Sequence, residues 1–273
     1  MTDILRTLLF LNIQGSVLVI VLLLLKSVIQ KSFSGRAQRR LWILAAVVFL
    51  LPVWNLVPEN TAPSIVLPYY SENIFTYETP DNTAAVWETQ DEKLVTDMDA
   101  SVENIDYRLI VLSVWGAVAG IFLLLNIGGY AIFLIKKRRR SENITDDKFS
   151  AILQSLDIKT KIRLRQCDDV DSPMLTGVFC PVVYIPRKSL TENELTLVYS
   201  HELTHYKHKD LLIKWFVCVI NAINWFNPFV YFVMKNLNEA CEIYCDETVT
   251  KNMDNEDKKQ YMSTILSLVT KKG

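Results

Sequence analysis

The chain has 273 residues, half of them apolar and 22% charged, with a formal net charge of −1. So large an apolar share beside an ordinary charged share excludes an evenly mixed sequence; the apolar residues are gathered into long runs. The net charge averages over segments of opposite sign and by itself points to no class of partner.

The first run, residues 4–25, is long enough to cross a bilayer, which takes about 20 apolar residues. It lacks the basic start and small-residue cleavage site of a secretory leader. A second run, 41–57, is shorter and nearly free of charge, with Pro52 and Trp54 near its end. Between the two, Lys26, Lys31, Arg36, Arg39 and Arg40 face no acid. Residues 58–106 carry eleven acids and a single base, Lys93. A third run, 109–135, contains Gly116, Gly120, Gly128 and Gly129, small residues that permit close helix packing. It ends in the basic run 136–140. By the positive-inside rule both basic segments lie in the cytoplasm, so the acidic loop and the N-terminus lie outside. The five cysteines, Cys167, Cys180, Cys218, Cys241 and Cys245, all follow the third run, as expected of reduced thiols in the cytoplasm.

Residues 136–273 are expected to form a cytoplasmic domain. A helix is predicted over 146–156, with Phe149, Ile152 and Leu156 at helical spacing. Residues 162–165 alternate as a strand does, and 178–185 form a second strand bounded by Gly177 and Pro186. Pro181 within it predicts an edge strand. Thr191 and Glu194 form a capping box that opens a helix.

That helix carries His201-Glu202-Leu203-Thr204-His205. Residues four apart lie one turn above each other, so the two imidazoles can grip one metal ion, with Glu202 placed to act on a water. A catalytic zinc takes three protein ligands and keeps one position open. A third histidine six residues on is excluded, because Leu211 stands there; His208, between two lysines, is expected to face solvent. The alternative is a carboxylate from a later helix. Residues 237–249 offer Glu242 and Asp246 on one face, with Glu239 and Glu247 as competitors. The Glu-x-x-x-Asp pair favours Glu242 as ligand and Asp246 as the acceptor for a ligating histidine's other ring N–H. Cys241 and Cys245 are expected to pack rather than to ligate. The stretch 211–234 is long enough to span, which would put His201 and Glu242 on opposite sides. Lys214, Asn221, Asn224, Asn227 and Pro228 interrupt it, so we expect two helices joined near 227–228, buried in protein or dipping into the bilayer.

His201-Glu202-Leu203-Thr204-His205 followed by Glu242-Ile-Tyr-Cys-Asp246 resembles the gluzincin pattern. With Ser172-Pro173, Gly177, Pro181 and Pro186 upstream and Trp225-Phe-Asn-Pro228-Phe-Val-Tyr231 downstream, the chain resembles the BlaR/MecR-type membrane-integrated metallopeptidases, signal transducers of β-lactam resistance. The resemblance implies a mainly α membrane protein, with three transmembrane helices and a cytoplasmic α+β gluzincin-type domain. It implies Zn²⁺ held by His201, His205 and Glu242, Glu202 as general base and Asp246 behind a ligand. It also implies an edge strand, here Val178, Phe179, Cys180, Val182, Val183 and Tyr184, that pairs with the substrate backbone. The expected partners are membrane lipid and a peptide or protein substrate, either a cytoplasmic transcriptional repressor or the chain itself. No nucleic-acid partner is expected, since the basic run 136–140 is explained at a membrane boundary; a homodimer stays open. The β-lactam-sensing relatives carry a C-terminal extracellular penicillin-binding domain that is not found in this sequence. The sequence is expected to be either a piece of a longer protein or a sensorless relative in which the loop 58–106 or a partner detects the signal, and β-lactam sensing by this chain itself is not expected. A membrane gluzincin of quality-control or prenyl-protein type shares the motifs. A non-catalytic receptor or scaffold with a structural metal has no use for Glu202.

Overall fold

A computed structural model describes residues 2–51, 107–187 and 190–270. The expected outer loop 58–106 and the later part of the run 41–57 lie outside them. The described chain is mainly helical. α1 (Thr2–Leu24), α2 (Lys26–Ser32) and α3 (Gly35–Val48) come first, followed by α4 (Tyr107–Arg139). Then come β1 (Ser141–Ile144), α5 (Asp147–Ser155), β2 (Arg163–Cys167), β3 (Met174–Thr176) and β4 (Val182–Pro186). The chain closes with α6 (Glu192–His208), α7 (Asp210–Ile223), α8 (Pro228–Val249) and α9 (Asn255–Thr270).

Two of these helices, α1 and α4, are long and apolar enough to cross a membrane. α1 and α3 do not stand alone. They share a core with α7 and α8, in which Val19, Trp42, Phe49, Val217, Val233 and Leu237 are buried together. The apolar stretch 211–234 is divided between α7 and α8, with the break where Asn and Pro residues cluster. Asn227 ends the connection and accepts from the Phe229 N–H at 2.9 Å, capping α8 ahead of its first-turn Pro228. Its amide also donates to Asn12 Oδ1 and Ser16 Oγ, both at 2.9 Å, halfway along α1. α7 has 14 residues, a rise of about 21 Å, so the hairpin reaches the middle of α1 and turns back. Both of its ends therefore lie on the same side as the basic α1–α3 connection.

α4 differs from expectation in its packing. A Cβ added at Gly116, Gly120, Gly128 or Gly129 would meet nothing within 4 Å, so these glycines are not at a close contact among the described residues. Close approaches occur instead at Gly35, where an added Cβ would sit 2.6 Å from the Tyr244 nitrogen of α8, and at Gly15 of α1, where it would sit 2.6 Å from the Phe49 ring.

The sheet has the order β1-β2-β4-β3. β2 and β4 are parallel and the outer pairs antiparallel. This corrects the expected edge strand. β4 begins after Pro181, is paired on both sides, and buries all five of its residues, the continuous apolar pattern of an inner strand. Val178, Phe179 and Cys180 lie outside any strand. The edge next to α6 is the three-residue β3, too short to show a period of two.

Helix α6 is fixed on the sheet by its apolar face. Tyr199 and Leu203 are fully buried against Phe149, Leu164, Val183 and Ile185, each such side chain contributing about 1.5–3 kcal/mol. Tyr199 meets Phe149 edge-on at 5.2 Å and donates to Asp146, the N-cap of α5, at 2.9 Å. The Thr191–Glu194 capping box is formed.

Candidate metal centre

α6 presents His201 and His205 toward α8. Their Nε2 atoms are 3.1 Å apart, and Glu242 Oε2 lies 3.5 Å from the first and 3.3 Å from the second. Three atoms bonded to one zinc at about 2.0–2.1 Å in a tetrahedron are about 3.3 Å apart, so the donor set fits that ion. The far side of each ring is held as well. Asp210 Oδ2 lies 2.7 Å from His205 Nδ1, so that nitrogen carries the proton. The Tyr261 hydroxyl donates to Asp246 Oδ1 at 2.6 Å and is 2.7 Å from His201 Nδ1, so that ring donates to the tyrosine oxygen. Both Nε2 lone pairs then converge on the same point, an arrangement that calls for a cation.

The electrostatics agree. Burial pushes the His201 pKa down, but Asp246, Cys245 and Glu242 outweigh it and hold it far above the ordinary value. Burial likewise lowers His205, against which Asp210, Cys245 and Glu242 raise it to about 11. Glu242 is pushed up by burial and held well below the usual carboxylate range by the two histidines and Lys214. The site thus favours positive charge on the imidazoles, supplied by protons or by a metal ion. Glu202 is half-buried. Burial raises its pKa against the lowering effects of His201, His205 and the nearby Leu175 backbone. Leu175 belongs to the edge strand β3 and lines the same cleft as Glu202.

Sequence reasoning had no signal for two of these residues. Asp210 begins α7 and reaches back to His205 because Lys209 takes a left-handed conformation, φ 60 and ψ 31. Tyr261 comes from α9, where it is 1% exposed. Asp246 lies 3.4 Å from His201 Nδ1 and touches it chiefly through Tyr261. Glu239 and Glu247, the competing carboxylates, are engaged elsewhere: Glu239 pairs with Lys26 at 2.7 Å and Glu247 accepts from Gly35 N–H at 2.9 Å. His208 is not solvent-facing as expected. It is half-buried, stacked on Tyr244 at 3.8 Å, and its pKa is lowered to about 4 by burial, with Arg39, His205 and Arg36 adding to the effect. Tyr244 is further occupied by Arg36, whose Nε donates to its hydroxyl at 3.0 Å. Cys241 is buried in the helical core. Cys245 is buried within ligand range of both histidines. Its sulfur lies 3.6 Å from His201 Nδ1 and donates to His201 O at 3.3 Å, so it meets that ring on the protonated edge, away from Glu242.

The site opens into a cleft of about 340 Å³. Met174 and Leu175 of β3 form one wall, Val198, Ile265 and Leu268 an apolar end, and Lys214 another side. A second cleft of about 440 Å³ continues past His205 along Gly177 and Val178.

Residues 6–273 match the family described as BlaR1 peptidase M56. The regulatory protein BlaR1 of Bacillus licheniformis is 28% identical over 205 residues, covering 71% of this chain and 33% of that protein. The methicillin resistance mecR1 proteins of Staphylococcus aureus and Staphylococcus epidermidis are each 23% identical over 275 aligned positions, 96% of this chain and 46% of theirs. The chain thus spans less than half the length of these relatives. With a match that runs from α1 to the C-terminus, the chain belongs to the BlaR1 peptidase M56 family.

Proposed function

We propose that the chain is a membrane-embedded zinc metalloendopeptidase that acts in transmembrane signalling, its substrate a cytoplasmic transcriptional repressor, the chain itself, or both. The observation that carries this reading is the convergence of His201, His205 and Glu242 within 3.1–3.5 Å of one another, with Glu202 beside them at the edge of a sheet. In this reading α1, α3 and α4 cross the membrane with the N-terminus outside. The site sits at the cytoplasmic ends of α1 and α3, where the basic connection packs on α8.

His201, His205 and Glu242 hold the ion, and Asp210 and Tyr261 orient the two rings. When bound, zinc polarises a peptide carbonyl and acidifies water toward neutral pH. Glu202 accepts a proton from the attacking water. As the new C–O bond forms and the C–N bond breaks, it delivers that proton to the departing amine. The substrate backbone adds to the free edge of β3, with neighbouring side chains entering the two clefts. β3 replaces residues 178–184 in this role because it is the strand that ends the sheet beside α6.

The test is the Glu202→Gln variant of the detergent-purified chain. Metal content by elemental mass spectrometry is expected to stay near one zinc per chain, while peptide cleavage falls by about 10²–10⁴ or more. Recovery of one DNA-binding repressor on the trapped variant supports signalling. A broad set of damaged membrane proteins identifies a quality-control protease instead. Absence of zinc from the unaltered, metal-replete protein removes the protease reading and leaves a receptor or scaffold.

A further inference from the structure

We propose that the loop 177–181 between β3 and β4 inserts into the cytoplasmic leaflet of the membrane, with Phe179 as its apolar anchor. The inference rests on the membrane topology given above, in which α4 crosses the bilayer and its basic end is inside.

Phe179 is 94% exposed. A single bare apolar side chain means little; its position gives it meaning. The loop has a fixed shape. Gly177 has φ +82, and a Cβ there would fall 2.3 Å from Cys180 O, so only glycine fits the turn. The Gly177 N–H donates to Tyr130 Oη at 2.8 Å, which fastens the root of the loop to α4. Tyr130 in turn packs edge-on against Trp215 of α7 at 5.2 Å. On α4, Tyr130 precedes the first basic residue, Lys136, by six positions, about 9 Å along the helix axis. Its neighbours Ile127, Ile132 and Ile135 are all more than half exposed. The loop is therefore rooted beside the bare apolar part of α4, on the membrane side of the basic belt.

The sheet has the matching orientation. Asp169, just beyond the C-terminal end of β2, pairs with Arg140 at 3.1 Å and Lys137 at 3.6 Å, at the basic end of α4. β2 and β4 are parallel, with Arg163 opposite Val182 at their starts. Both strands thus run from the Tyr130 level toward the basic end, and 177–181 is a turn at the Tyr130 end of the sheet. The adjoining cleft is rimmed by the exposed Lys159, Lys207 and Lys209, and Leu212, in the first turn of α7, is 52% exposed. Apolar tips with lysines beside them suit the boundary of an anionic leaflet. An anchored loop holds β3, and with it Leu175 and Glu202, at the membrane surface.

The test is spin-label accessibility in the full chain, reconstituted into phosphatidylcholine–phosphatidylglycerol vesicles. Phe179→Cys is made in a Cys180→Ser background and labelled with a nitroxide, itself apolar enough to take the place of the phenyl ring. Ile132→Cys on α4 and Glu142→Cys on β1 serve as lipid and water references in the same background. The expected result is that the label at 179 collides with oxygen and is shielded from a nickel chelate, as at 132. Nickel access at 179 with oxygen access at 132 overturns the anchor and leaves the topology standing. Shielding of 179 from both reagents assigns the loop to a protein partner, substrate or second copy, and also overturns it. Nickel access at 132 overturns the topology and the anchor together.

Discussion

Arg39 of α3 and Asp210 of α7 form an ion pair of 3.1 Å whose side chains are only 14% and 2% exposed. The same Asp210 carboxylate holds His205 at 2.7 Å, and Arg39 also donates to His208 O at 2.8 Å. The basic N-terminal half of α3 is thereby joined to a candidate metal ligand through one buried carboxylate. Removing one member of such a pair leaves an uncompensated charge, so Arg39→Met is expected to destabilise the chain by about 3–5 kcal/mol. Arg39→Lys should recover part of this, since an ammonium cannot match the planar fork. Chemical denaturation of the three proteins measures it. A loss below about 0.5 kcal/mol, ordinary for an exposed pair, would show that the pair is not buried in the working protein.

Tyr261 stands between His201 and Asp246, so the carboxylate acts on the ring through the hydroxyl. Tyr261→Phe is expected to weaken zinc binding about 10-fold, the lower end of what loss of a ligand's hydrogen-bond partner costs, with the fold retained. Asp246→Asn should weaken it comparably. In the Tyr261→Phe background it should add little, because the connection is already cut. Competition with a zinc chelator gives all four affinities. Additive losses would mean that Asp246 reaches His201 directly.

The features legible in the sequence were those with a local cause. The capping box before α6, the four-residue spacing of His201 and His205, and the break at Asn227–Pro228 each depend on neighbours within one or two turns. Glu242 was reachable because Asp246 follows it at helical spacing. Asp210 lies five residues beyond His205, yet its contact depends on the left-handed turn at Lys209, which a lysine does not advertise. Tyr261 is brought in by a separate helix. The place of 178–185 in the sheet differs from expectation for a related reason: Pro181 suggests an edge, but it falls just outside β4, and β3 is too short to announce itself. Pairing across a sheet is a non-local property, and the single sequence carries little record of it.

Lys209 adopts the left-handed backbone conformation that glycine takes at lower cost. Lys209→Gly is expected to raise stability by roughly 0.5–1 kcal/mol, relief of steric strain being partly offset by glycine's greater unfolded-state freedom. Lys209→Ala keeps the strain and should give no gain. Thermal unfolding of the two variants separates a backbone effect from loss of the charge. Equal shifts would assign the effect to the charge.

Gly35 and the glycines of α4 make opposite predictions from the same chemical change. At Gly35 a methyl group would lie 2.6–2.9 Å from backbone atoms of Ile243 and Tyr244, which cannot rotate away. α3 must then retreat from α8, stretching the Gly35 N–H bond to Glu247. Gly35→Ala is therefore expected to cost about 1–3 kcal/mol as overpacking. It should also weaken zinc binding, because the displaced segment of α8 follows Glu242 directly. At Gly120 a methyl group meets nothing within 4 Å, so Gly120→Ala should be neutral or gain up to about 1 kcal/mol from helix propensity. Thermal unfolding with and without zinc distinguishes the two sites. A severe loss at Gly120 would mean that another chain or segment packs on α4 there, whereas a tolerated Gly35→Ala would mean that α3 and α8 do not touch.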